Sequence, residues 1–242
     1  MAQPILEIKS LKKSFGDKVV LRDVSLSVQS GEIFGFIGHN GAGKSTTIKQ
    51  VVGTLAVDEG EILIDGNSIK TDPLACKKCF SYVPDNPDIY EYLTGIQYLN
   101  FMADMYDVST NERSAIIEEL SEKLQIRKDL GDLVGAYSHG MRQKLVLIGA
   151  FIHRPKLLVL DEPFVGLDPL ASYNVKEMLK ELCESGSSVF FSSHVLEVVE
   201  KLCHKVAIIK SGVILRSGTT EEVTGDESLE EVFIELANSN QE

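Results

Sequence analysis

Gly38-x-x-x-x-Gly43-Lys44-Ser45 puts three residue types that phosphate chemistry needs at fixed spacing. The glycines let the backbone curl around an anion with no Cβ in the way. N–H groups along Gly38, Asn40, Gly41, Ala42 and Gly43 can then converge on a phosphate, and the start of the next helix adds partial positive charge. Lys44 is long enough to reach β- and γ-phosphates, Ser45 offers a hydroxyl to Mg²⁺, and Thr46 offers one to an α-phosphate. The stretch follows the apolar run "IFGFI" and opens "KSTTIKQVV", a strand and then a helix. That context separates a phosphate loop from a chance glycine-rich turn.

A second group is Asp161-Glu162, which ends the apolar run "LLVLDEP". A parallel strand offers its carboxyl end to the ligand crevice. Alternation along a strand predicts that the two carboxylates point opposite ways and take different work. Asp161 would hold Mg²⁺ through water, and Glu162 would polarise an attacking water as general base. Alone, such a pair reads as a solvated strand end; beside a phosphate loop in the same chain it reads as chemistry. A third stretch, "AYSHGMRQK" at 136–144, opens a helix with Ser138 as N-cap and small or polar residues at its tip. Such a tip buries little, so its function depends on what faces it.

Elements must hold these groups together. "ILEIKSLKKSF" alternates, and "KVVLRDVSLSVQSGEIFGFIG" continues as strands with turn signals at Asp23, Ser30 and Gly31. "EGEILIDGNSI" predicts a hairpin at Asp65-Gly66. From about Tyr90 to Arg154 apolar residues recur at three- and four-residue spacing, as helices require. After 155 short apolar strands alternate with helices, the pattern of a parallel α/β sheet. The chain therefore reads as an α/β core with an inserted helical lobe. The expected divisions are 1–84 and 155–218 for the sheet parts, 85–154 for the helical part and 219–242 for a helical tail. In that tail Leu229, Val232, Phe233 and Leu236 share one face, which predicts packing on the core.

Composition narrows the function classes. The 242 residues are 43% hydrophobic and 25% charged, an ordinary globular balance. No apolar run reaches the roughly 18–20 residues of a membrane span. "MAQPILEIKS" has no basic segment leading into an apolar one, so a cytosolic protein is expected. The net charge of −12 and the absence of a basic stripe argue against nucleic acid as partner. Cys76, Cys79, Cys183 and Cys203 read as reduced structural thiols, because "CKKC" has no second close pair to complete a zinc site.

In order along the chain stand the phosphate loop, the Ser138 stretch, "LLVLDEP", "GLDP" at 166–169 and His194 after "FFSS". From about Ile5 to Gly218 this order resembles the ATP-binding cassette (ABC) ATPases. The resemblance implies a P-loop NTPase (RecA-like) core with an antiparallel β subdomain and an inserted α-helical subdomain. It implies ATP and Mg²⁺ as ligands, and a head-to-tail homodimer or heterodimer in which each site joins the phosphate loop of one copy to the Ser138 stretch of the other. Phe15 corresponds to the residue that stacks on adenine. Asp85 in "YVPDNP" stands where the family has Gln and sometimes Glu, near the metal and the attacking water; it is shorter than Glu and, unlike Gln, charged. Asp168 matches the loop linking the two sites, and His194 the residue that reads the γ-phosphate. The family's Leu-Ser-Gly-Gly-Gln keeps only Ser138 and Gly140 here; those two should contact phosphate while His139 points to solvent or the lobe.

The ligand and catalytic set implied is thus Phe15, Gly38, Asn40, Gly41, Ala42, Gly43, Lys44, Ser45, Thr46, Ser138 and Gly140 for nucleotide, Ser45, Asp161 and Asp85 for metal, and Glu162, His194, Lys44 and Asp85 for catalysis. "YSHGM" and "SLEEVFIEL" resemble bacterial export-type subunits that work peripherally on the inner membrane face beside a separate transmembrane permease subunit. A soluble ABC ATPase of translation or DNA repair and a regulatory subunit with weak hydrolysis are the alternatives. A GTPase would want an Asn-Lys-x-Asp guanine reader, which the sequence lacks.

Overall fold

In the computed structural model, which describes residues 3–238, strands β1 (Leu6–Phe15) and β2 (Lys18–Val28) form a hairpin at Gly16-Asp17. There follow β3 (Ile33–Ile37), α1 (Lys44–Val51), β4 (Glu59–Ile64), β5 (Asn67–Ser68), α2 (Pro73–Cys79) and β6 (Phe80–Val83). Three helices come next, α3 (Gly95–Met105), α4 (Thr110–Lys123) and α5 (His139–Phe151), with two short 3₁₀ turns between the last two. The chain returns through β7 (Leu157–Asp161), α6 (Pro169–Glu184), β8 (Ser188–Ser193), α7 (Leu196–Leu202), β9 (Lys205–Lys210) and β10 (Val213–Thr219). It then forms α8 (Thr220–Thr224) and α9 (Leu229–Asn238).

Among the described residues ten strands run in the order β5-β4-β1-β2-β10-β9-β3-β8-β7-β6. Neighbours from β9 to β6 pair in parallel, and β1, β2, β4 and β5 pair antiparallel. The α/β reading and its antiparallel part thus stand in the molecule. β10 joins the two halves, antiparallel to β9 and touching β2 at Val213 and Asp23. Side-chain alternation builds two cores. Leu158, Leu160, Val189 and Phe191 face the helices α3–α6, whereas Leu157, Val159, Phe190 and Phe36 face the β1–β2 side. Every residue of β3, β7 and β8 is buried, as strands covered on both faces require.

One expectation needs correction. Asp23 is not a turn: β2 runs through it, and its chain reverses at Gly16, where φ is 57°. The stretch 68–84 holds α2 and β6, which periodicity did not reveal because both are short. Asp72 caps α2 through Ala75 N, and Pro73 starts it, a local signal strong enough to nucleate one turn. The Asp65-Gly66 hairpin is present, with φ of 50° and 76° as a two-residue primed turn needs. All four cysteines are free thiols. The tail packs as expected through Leu229 and Val232, both fully buried; residues 239–242 of the expected tail and residues 1–2 lie outside the described residues.

Candidate functional site

The loop between β3 and α1 is held by close packing. A Cβ at Gly38 would stand 2.4 Å from the Ile209 carbonyl oxygen. Gly43, the α1 N-cap, has φ 116° and no room beside Leu21, where a Cβ would come within 2.5 Å. Because Gly43 has no capping side chain, the first N–H groups of α1 stay open to a ligand. Lys44 is 6% exposed and its ammonium donates to the Gly38 carbonyl at 2.6 Å and the His39 carbonyl at 3.4 Å. Burial pulls the Lys44 pKa below its usual value, while Glu162 and Asp161 push it back up.

β7 delivers the two acids. Asp161 is 1% exposed; one carboxylate oxygen accepts from the Ser192 hydroxyl on the neighbouring β8, and the other is buried with no hydrogen-bond partner among the described residues. Glu162 lies just beyond the strand at φ 50°. A left-handed turn of the backbone, rather than strand alternation, therefore separates the two carboxylates. The Glu162 N–H is fixed on Ser192 O at 3.2 Å and Ser192 Oγ at 3.1 Å. Its carboxylate stands 3.8 Å from Lys44 Nζ and accepts from His194 Nδ1 at 2.8 Å and His194 N at 3.3 Å.

Lys44 and Glu162 open on a cleft of about 770 Å³, whose lining includes neither the buried Asp161 nor His194. Phe15, His39, Asn40, Gly41, Gly43, Lys44, Ser45, Thr46, Asp85 and Glu162 line it, so most of the sequence-derived set converges there. Phe15 is 50% exposed, with the Lys13 ammonium over its ring at 5.3 Å from the centroid. Asp85, just past β6, accepts from Asn86 N at 2.9 Å. Gly38 and Ala42 form the buried back of the loop. Among the described residues no group of three or more His, Cys, Asp or Glu is placed to hold a metal unaided. The orphaned oxygen of Asp161 and the hydroxyl of Ser45 fit a cation that takes its remaining ligands from phosphate and water.

Ser138 and Gly140 do not line this cleft. Ser138 caps α5 through Met141 N at 3.3 Å and is exposed. The tip of α5 is braced instead by the loop 163–168. Lys144 Nζ donates to Asp168 at 2.7 Å, Gln143 Nε2 donates to Pro163 O at 3.3 Å, and a Cβ at Gly140 would come 2.7 Å from Gly166 O. His139 is exposed, and the edge of its ring lies over Gly166, where a Cβ would meet it at 2.5 Å. Asp168 also caps α6 through Ala171 N at 2.8 Å, and its pairing with Lys144 holds its carboxyl below the usual range. The bracing residues Gln143 and Lys144 were not singled out in the sequence; a polar pair at helical spacing gives no sign of its partner.

The chain is similar to known proteins. The model of the ABC transporter family matches residues 21–165. The uncharacterized ABC transporter ATP-binding protein YdbJ of Bacillus subtilis is 38% identical over 237 residues, covering 98% of this chain and 75% of that protein. The lipopolysaccharide export system ATP-binding protein LptB of Haemophilus influenzae is 34% identical over 235 residues, covering 95% and 97%. A solved structure of an ATP-binding subunit of an ABC transporter superposes with a TM-score of 0.93 at 33% identity, covering 97% of this chain and 100% of that one. With the family model over more than half its length and such relatives over nearly all of it, this chain belongs to the ABC transporter family, as an ATP-binding subunit with ATPase activity.

Proposed function

We propose that two copies of the chain, or one copy and a similar subunit, close head to tail around two ATP–Mg²⁺ and drive a separate membrane subunit in export. The observation that carries this reading is the position of Ser138 and Gly140. They form a helix start, Ser138 exposed and Gly140 half-buried, whose first N–H groups apart from that of Met141 have no intrahelical partner, and they stand outside the cleft of their own chain. A second copy supplies the phosphate that such a tip can bind. ATP then favours the closed pair because its γ-phosphate contacts both copies, and hydrolysis removes the bridge.

Within each site Phe15 stacks on the base, the loop and Lys44 bind the phosphates, and Glu162 takes the proton of the attacking water. His194 holds the Glu162 carboxylate at 2.8 Å and so orients it. Ser45 and Asp161 would hold Mg²⁺, which when bound would neutralise phosphate charge, and Asp85 lines the same cleft as Ser45. The membrane partner docks beside the exposed cluster Tyr90, Tyr92 and Phe101, in which the Tyr90 ring lies 5.8 Å from each of the other two. Among the described residues no helix is long and apolar enough to cross a membrane, which is consistent with a peripheral subunit at the inner membrane face. The export direction is supported by likeness to LptB.

Glu162→Gln tests the reading. It should retain ATP binding, lower turnover by about 10²–10⁴-fold, the usual worth of a positioned base, and accumulate an ATP-bound dimer on size exclusion. A variant that stays monomeric with ATP and hydrolyses at the wild-type rate would sink it.

A further inference from the structure

The helix α9 reaches the phosphate loop. Leu229 and Val232 are fully buried, which accounts for their face of the helix as ordinary core packing. Phe233 is different. It is only partly buried, and its ring lies 4.6 Å from the ring of His39, tilted by 52°. His39 is an exposed loop residue directly after Gly38. Its carbonyl accepts from Ala42 N at 3.1 Å and from Lys44 Nζ at 3.4 Å. The residue gripped by Phe233 is therefore the one whose carbonyl closes the turn of the loop and shares the lysine.

α9 is itself pinned at both ends. Leu229 N donates to Glu200 at 3.0 Å. Lys210 Nζ donates to Leu236 O at 3.2 Å and Ala237 O at 2.7 Å, which places a cation on the last-turn carbonyls of the helix. Lys210 ends β9, and the next residue, Ser211, lines the nucleotide cleft. The helix is thus fastened to the rim of the cleft at one point and to its phosphate loop at another. Phe233 also borders, with His39, Asn40 and His194, a small recess of about 240 Å³ behind the loop.

We propose that Phe233 is a positioning residue for ATP binding: through His39 it holds the phosphate loop in its binding-competent curl. The proposal rests on the assignment of this loop to ATP and on nothing about membrane partner or direction. Without the ring, His39 is an exposed side chain with free torsions, and the loop spends part of its time in other forms. Apparent affinity falls with the competent fraction, whereas ATP at saturation restores the competent loop. The loss appears in Kd and KM and not in kcat.

The test measures ATP binding and steady-state hydrolysis by the full chain. Phe233→Ala and Phe233→Leu should weaken binding and raise KM about three- to tenfold, the size expected for one lost aromatic pair, with kcat held. Phe233→Leu keeps the apolar volume that α9 needs and carries the test should the alanine variant fail to fold. Phe233→Tyr should restore affinity. In a His39→Ala background, removing Phe233 should change nothing further. Unchanged affinity in the leucine variant, a fall in kcat without a rise in KM, or an undiminished effect in the His39→Ala background overturns the proposal. A wild-type chain that fails to bind ATP overturns the ATP assignment and this inference with it. A wild-type chain that binds, with a leucine variant that binds equally, overturns the inference alone.

Discussion

Gly140→Ala sets two opposed effects against each other. Gly140 is the second residue of α5, and alanine is the better helix former by up to about 1 kcal/mol, less in a first turn. The new Cβ would stand 2.7 Å from Gly166 O, against ordinary contact from 3.4 Å, so the loop has to retreat by about 0.7 Å. Overpacking of this kind costs about 1–3 kcal/mol. The clash wins, and the net loss is about 0–2 kcal/mol, or no more than several degrees in melting temperature for a domain of this size. The functional loss is larger than the stability loss. The retreating loop is tied to Glu162 through Val165 N→Glu162 O at 3.2 Å, and misplacing a reacting group by a comparable distance costs on the order of 10- to 100-fold in rate. Urea unfolding, a thermal melt and ATP hydrolysis at saturating nucleotide measure both. A variant that melts higher than wild type and hydrolyses at the wild-type rate would refute the contact and the reasoning built on it.

Ser138→Asp keeps the N-cap of α5 and adds a charge that the helix start tolerates, so stability should hold. Under the proposed dimer it faces a γ-phosphate, and hydrolysis should fall by at least about 10²-fold while binding to the variant's own cleft persists; undiminished hydrolysis would count against the dimer. His153 supplies a pH dependence. Its ring stacks on Tyr106 with centroids 3.5 Å apart, and burial pushes its pKa down from 6.5 to about 4. The folded chain then binds fewer protons than the unfolded one between those values, so stability falls as pH drops from 6.5 towards 4, by on the order of 1–2 kcal/mol once solvent screening of the part-exposed ring is allowed for. Urea midpoints at pH 7 and pH 5 should diverge in wild type and converge in His153→Phe; parallel behaviour of the two proteins would contradict the assignment.

The parts of the site that were legible in the sequence are those set by local geometry. A phosphate loop requires its glycines within a few residues, and the acids at the end of β7 follow from a buried apolar run. The parallel sheet was legible because its strands are covered on both faces and read as unbroken apolar runs. What was hidden depends on contacts between distant segments. The φ of 50° at Glu162 is stabilised by Ser192 on β8, and nothing in "LDEP" announces it. The ring of His139 turns to Gly166 because a glycine at φ 80° leaves a hollow there, which the sequence around His139 cannot show. α2 and β6 escaped because seven- and four-residue elements are too short for a period to emerge.

The segment 162–168 belongs to two structures at once. Its first residue, Glu162, lines the cleft beside Lys44 and is hydrogen-bonded to His194, and its last, Asp168, lies on Lys144 at the base of the α5 tip. Two contacts could carry a movement from cleft to tip. The Lys144–Asp168 pair has a carboxylate that is 48% exposed, and such a pair is worth about 0–1 kcal/mol and weakens with salt. The packing of Gly140 and His139 on Gly166 leaves no room for a single methyl group, and close-packed contacts transmit displacement without yielding. Steric contact therefore dominates the link, and the ion pair mainly fixes the register of α5 against the start of α6. A loop displaced by nucleotide at Glu162 must push or release the tip that, in the proposed dimer, faces the second ATP.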